Sequence, residues 1–175
     1  KNMNPCIDCR IFMFRQIAPM LDEEAAAAVV TGEVLGQRPM SQVRAHLRPI
    51  DEASGLAGKI LRPLSAKRLP PTEAELGGIV DREQLYAFTG RSRAPQLALA
   101  AELGITEYAT PAGGCKLTTA GFTPRLRDFL THYDDDAMDD ARLLNYGRHL
   151  RVNDEVKFVV GRNEEENRFL EGFVA

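Results

Sequence analysis

Nowhere does this 175-residue chain carry the run of roughly 18 or more apolar residues that a membrane span requires. No charged-then-apolar leader precedes a cleavage site. Three cysteines is an odd number, which excludes a complete disulfide framework within one chain and suits a reducing compartment. A surplus of positive charge is missing as well. Lys and Arg number 22 against 25 Asp and Glu, a net charge of −3, so any RNA contact must come from local basic clusters. There is no internal repeat and no long Gly/Ser linker. What is there, 44% apolar and 27% charged residues, suits a chain that closes a core, and the expectation is a cytoplasmic protein with no membrane partner.

Ile7, Ile11, Phe14, Ala18 and Leu21 recur at spacings of three and four, which predicts a helix from Pro5, capped by Asn4 and ending around Pro19 to Leu21. The apolar run Ala25 to Thr31, broken by Gly32, reads as a buried strand opening into a loop. In parallel α/β sheets ligands bind beyond the carboxyl ends of strands, which makes the loop from Thr31 to Arg38 a natural site. Further helices are expected over Met40–His46, Thr72–Leu76, Asp81–Phe88, Ala94–Leu103, Thr123–His132 and Met138–Tyr146, and a second strand within Gly58–Leu64. Asp134–Asp136 reads as a solvated turn. Arg148–Val152 and Glu155–Val160 alternate around Asn153-Asp154 as a hairpin does, and a charged helix follows over Asn163–Phe169.

Cys6-x-x-Cys9 falls in the first turn of the predicted helix, near the positive end of its dipole, where thiolates are favoured. Such a pair serves thiol redox centres, zinc sites and iron–sulfur clusters alike. Cys115 follows Pro111-Ala-Gly-Gly, a loop whose glycines permit close backbone approach. Three thiolates on one metal would leave an open coordination position, and a closed zinc site would need His46, His132 or His149 as a fourth ligand. Disulfide exchange between Cys115 and the pair needs no metal. Three cysteines that only fill space are the plain alternative.

Taken together, Asn4–Met13, Val30–Met40, Leu61–Lys67 and Pro111–Cys115 resemble blocks of the PP-loop ATPase superfamily, in its tRNA 2-thiouridylase-like branch. The resemblance covers nearly the whole chain. It implies an α/β fold: a partial Rossmann-like parallel sheet of the adenine nucleotide alpha hydrolase type over residues 1–110, followed by a small α+β region over 111–175. It implies tRNA thiolation, an ATP-dependent replacement of a nucleobase oxygen by sulfur, with tRNA and a sulfur donor, sulfide or a persulfide carrier, as partners. Cys9 and Cys115 match the two sulfur-handling cysteines of that branch, and the additional Cys6 resembles the cluster-dependent members, in which three cysteines hold a 4Fe-4S cluster. Thr31, Gly32 and Glu33 then fall where nucleotide is contacted, Glu33 standing where the family has His, with Arg38 and Lys67 as neighbours.

The family's Ser-Gly-Gly-x-Asp-Ser loop is absent from these residues, so ATP and Mg are expected only in an intact protein with a segment upstream of Lys1. Arg91, Arg93, Lys116, Arg125, Arg127, Arg142, Arg148 and Arg151 are candidate phosphate contacts, although the absence of interleaved aromatics argues against sequence-specific stacking of single strands. Two other function classes stay open. One is a noncatalytic metal-binding or RNA-docking module with structural cysteines, with zinc as the alternative metal; the other is a thiol redox enzyme.

Overall fold

The computed structural model describes residues 5–109, 115–133 and 138–173. Asn4, the loop residues 111–114 and the run Asp134–Asp136 lie outside the described residues. The chain divides after Pro111 into two compact units.

In the first unit, helix α1 (Pro5–Glu23) buries Phe14 and Leu21, with Ile7, Ile11, Ile17 and Ala18 packed around them. The helix passes Pro19 and runs to Glu23, beyond the expected stop. Proline removes one backbone donor, but the burial of Leu21 at 6% exposure holds the last turn in place. Ala25 then takes a left-handed φ of 46°, so the expected strand from Ala25 contracts to β1 (Val29–Val30). Helix α2 (Arg44–Ala53) starts later than expected because Leu47 and Ile50 supply its buried face. The Arg15 guanidinium caps the end of α2 through the Ala53 carbonyl at 3.0 and 2.9 Å.

β2 (Ile60–Leu61) pairs in parallel with β1, Val29 opposite Ile60 and Val30 opposite Leu61. A mixed α/β unit with a parallel pair is therefore present, the sheet being two strands wide among the described residues. Phe14, Leu21, Ile50, Leu56 and Ile60 close its core. A short helix α3 (Glu73–Leu76) begins on a reciprocal cap between Thr72 and Glu75. Expected helix Asp81–Phe88 is a single 3-10 turn, Arg82–Gln84, followed by extended chain. The amides of Tyr86 and Phe88 donate to the carbonyls of Pro63 and Leu64 at 2.9 and 2.7 Å, and the fully buried Ser65 hydroxyl joins the Phe88 carbonyl to the Leu35 amide. Those donors are lost to any helix. Helix α4 (Ala94–Glu102) ends the unit.

One buried cation ties these pieces together. Arg62, just after β2 and 4% exposed, donates to Glu33 from Nε at 2.8 Å and grips both Asp51 oxygens at 2.8 and 2.7 Å. Arg10 on α1 closes the set on Glu33 at 2.6 Å. Burial opposes the charge on Arg62, yet the Asp51 and Glu33 carboxylates outweigh it and raise its pKa.

The second unit holds α5 (Thr123–His132), α6 (Met138–Leu143), the antiparallel strands β3 (Arg148–Arg151) and β4 (Lys157–Val160), and α7 (Glu164–Glu171). Phe122 and Leu144 are buried, and Tyr146 stacks on Phe169 with ring centres 3.9 Å apart. Asn153 shapes the hairpin turn, its Oδ1 accepting from the amides of Glu155 and Val156 at 3.0 and 2.8 Å. Gly147, which leads into β3, has φ of 65°, and a Cβ there would lie 2.7 Å from the Val160 carbonyl oxygen, so glycine is required.

Removing one partner from a buried ion pair leaves the other charge stranded at a cost of about 3–5 kcal/mol. Glu33→Ala is expected to destabilise the first unit on that scale in urea unfolding followed by circular dichroism, whereas Thr31→Ala costs well under half as much. An unchanged unfolding midpoint in Glu33→Ala contradicts a structural role for the Arg62 network.

Candidate nucleic-acid interface

Cys6 and Cys9 lie in the first two turns of α1, Cys6 half-buried and Cys9 exposed. Cys115 is an exposed residue of the second unit, just before the 3-10 turn Lys116–Thr118. Among the described residues no group of three or more His, Cys, Asp and Glu side chains is suited to hold a metal ion. Of the histidines weighed as a fourth ligand, His149 directs Nε2 between the carbonyls of Leu143 and Tyr146 at 3.1 and 2.9 Å. Burial foremost, helped by the nearby Lys157 and Arg125, lowers its pKa against those two hydrogen bonds. His132 approaches the Asp128 carbonyl at 2.8 Å.

Thr31 accepts the Glu33 amide at 3.4 Å, and its own amide is taken by the Leu61 carbonyl. Gly32 is exposed, and a Cβ built there meets nothing within 4 Å. Glu33 is 5% exposed and held by Arg62 and Arg10. Lys67 is drawn to the Glu83 carbonyl at 2.6 Å, and Arg38 is half-buried.

The candidate phosphate contacts separate by environment. Arg91 and Arg93 belong to the first unit. Lys116 donates to Asn145 at 3.2 Å. Arg125 is half-buried over the Phe122 ring with Nε on the Gly121 carbonyl, and Arg127 and Arg142 are exposed. Arg151 and Lys157 converge on Asp128 of α5, Lys157 at 2.6 Å and only 8% exposed. The Arg151 hydrogen bond foremost, with Lys157, overcomes burial and drives the Asp128 carboxyl well below the usual range. Glu166 of α7 does similar work at the hairpin's other end. It takes the Arg162 guanidinium at 2.6 Å and the Arg162 and Gly147 amides at 2.8 and 3.1 Å, which lowers its pKa to about 2.

These contacts dictate which way the hairpin faces. Arg151 and Lys157 are paired across the strands and turn toward α5, so the alternate positions turn outward. The outward face carries three rows: Arg148 opposite Val160, Leu150 opposite Phe158, and Val152 beside Val156, whose carbonyl takes the Val152 amide at 3.0 Å. Phe158 is 56% exposed and Leu150 57%. The Arg148 guanidinium has no ionic or hydrogen-bond partner among the described residues. Along the chain Phe158 is separated from Arg148 by the turn, whereas pairing across strands puts it diagonal to Arg148. The alternation of β3 and β4 was the signal that held this face.

The outward face of the hairpin is thus largely apolar, with the exposed Arg148 at one end. The family model for the NFACT protein RNA binding domain matches residues 147–175, which span β3, β4 and α7. No curated protein and no solved structure matches the chain. The family match overturns the resemblance to PP-loop thiouridylases, and the reading as an ATP-binding, iron–sulfur, tRNA-thiolating transferase falls with it. The four blocks that carried that resemblance lie outside the matched segment. A CxxC pair and a glycine-flanked cysteine are short patterns that many folds accommodate.

Lowered carboxyl pKa values fix the acid response of this unit. Each group stabilises the fold fully above its unfolded value, and the contribution is lost as pH falls through its lowered folded value, for Glu166 from 4.5 down to about 2. Thermal melts are expected to fall steeply between those limits, and less steeply in Asp128→Asn. At neutral pH Asp128→Asn is expected to cost about 2 kcal/mol, since two charge-assisted hydrogen bonds are weakened at a partly exposed site. A melting temperature equal to wild type at pH 7 contradicts the anchoring role of Asp128.

Proposed function

We propose that this protein is an RNA-docking module whose contact surface lies in the second unit, on the outward face of the β3–β4 hairpin. The observation that carries the reading is the match of residues 147–175 to an RNA binding domain model. Support comes from the hairpin itself, which presents Arg148 on an exposed face within the matched segment, without an ionic or hydrogen-bond partner among the described residues. Electrostatics set the style of binding. The matched segment has five Lys and Arg against six Asp and Glu, and two of the five basic residues, Arg151 and Lys157, are occupied by Asp128. Attraction to phosphate is therefore local, and affinity for bulk RNA is modest.

Each phosphate neutralised contributes a slope of about −0.7 for single strands to −0.9 for duplex in log affinity against log salt. A surface centred on Arg148 is expected to give a total slope of roughly −1 to −2. Fluorescence anisotropy of the full chain with labelled tRNA and with an unstructured oligonucleotide measures it. Arg148→Gln is expected to flatten the slope by about one phosphate and weaken binding uniformly across sequences. Absence of binding to either RNA at low salt contradicts the reading, and an unchanged slope in Arg148→Gln removes the hairpin face as its location.

A further inference from the structure

The cations a duplex-binding surface needs are turned away from the outward face of this hairpin. A-form RNA is recognised through phosphates and 2′-hydroxyls across its minor groove, which calls for several cations spread over the contact surface. Here Arg151 and Lys157 are held on the inner face by Asp128, and Arg162 is folded onto Glu166. What the outer face offers instead is Phe158, Leu150, Val152, Val156 and Val160, between 40% and 66% exposed, with Arg148 at one end. Apolar surface of that kind gains nothing from a sugar-phosphate backbone. It does gain from the planar face of an unpaired base, which an aromatic ring and a guanidinium plane stack against.

Spacing agrees with chemistry. Rows on one face of a strand are about 7 Å apart, the rise of two residues, and opposed Cβ atoms are about 5 Å apart. Side-by-side rows at that interval match bases splayed out of a helical stack, one against Phe158 and its neighbour against Arg148. Among the described residues Phe158 enters no ring–ring contact: the aromatic contacts of this unit run through Phe129–Tyr133 and Tyr146–Phe169–Phe173. A ring 56% exposed on an otherwise well-paired strand is explained by a ligand more readily than by packing.

Resting on the RNA-docking reading above, we infer that the hairpin selects unpaired nucleotides over duplex, with Phe158 as the stacking platform and Arg148 beside it. The selectivity lies in the base faces exposed, and the phosphates add a weak, sequence-independent share.

The test uses the full chain, a mixed-sequence single-stranded RNA of about 12 nucleotides, and the same strand annealed to its complement, at low salt. Single strand is expected to bind roughly tenfold tighter than duplex, and Phe158→Ala to remove most of that difference while leaving duplex binding and the melting temperature unchanged. Because the chain contains no tryptophan, Phe158→Trp places one fluorophore on the face. Its emission is expected to be quenched by single-stranded RNA, and much less by duplex. Duplex bound as tightly as single strand, with RNA binding otherwise intact, overturns this inference and leaves the docking reading standing. Binding of neither RNA overturns both. Self-association that Phe158→Ala abolishes, with RNA affinity unaltered, assigns the face to a protein contact and also overturns the inference.

Discussion

Arg62 is the constraint on which the first unit depends. A guanidinium 4% exposed is tolerable only because two carboxylates reach it, and those carboxylates come from separate places: Glu33 from the loop after β1, Asp51 from α2. Arg10 adds α1 through Glu33. Four segments are thus held in register by one charge, and the apolar cluster of Phe14, Leu21, Ile50, Leu56 and Ile60 fills in around an arrangement the ion pairs have fixed. The second unit inverts the sign. Asp128 is the central charge, and Arg151 and Lys157 are the arms that reach it from two strands. In both units the most buried of these charged groups are occupied with each other, which is why a near-neutral total says so little about what each surface presents.

Local order was legible along the chain. Apolar spacing in α1, the run of α5 from Thr123 to His132, and the alternating strands around Asn153 all follow from short-range periodicity and turn chemistry. Boundaries moved where tertiary contacts overruled local preference. Pro19 does not stop α1 because Leu21 is needed in the core, and Asp81–Phe88 does not coil because its amides serve Pro63, Leu64 and their neighbours. The charge centres were not legible. Arg62 and Glu33 are 29 residues apart, and Lys157 and Asp128 also 29, and no pattern within a local window links such partners.

The same limit explains the misreading of function. Cys6-x-x-Cys9 and the glycines before Cys115 are conspicuous local patterns, and such patterns occur in many unrelated folds. Glu33, expected at a nucleotide because it follows a strand, is buried in ion pairs with Arg62 and Arg10 that no local pattern announces. Alternation in β3 and β4 announced two faces without saying which would be inward. Hydrophobicity alone would have buried Phe158 and Leu150 and exposed Arg151 and Lys157; the pull of Asp128 reverses that choice.

That reversal gives the Asn153 turn an unusual influence. Side chains along a strand alternate, so a slip of one residue in the pairing carries every group to the opposite side. Adding or deleting a single residue within the turn of this hairpin would turn one strand over relative to the other; turning β4 over carries the Lys157 ammonium to solvent and the Phe158 ring inward, putting positive charge into an oily plate while the backbone trace barely changed. Descendants of this chain that differ by one turn residue would then look alike in outline and recognise different surfaces, which makes the length of that turn, more than the identity of any residue on the face, the quantity to compare when sorting such proteins by what they hold.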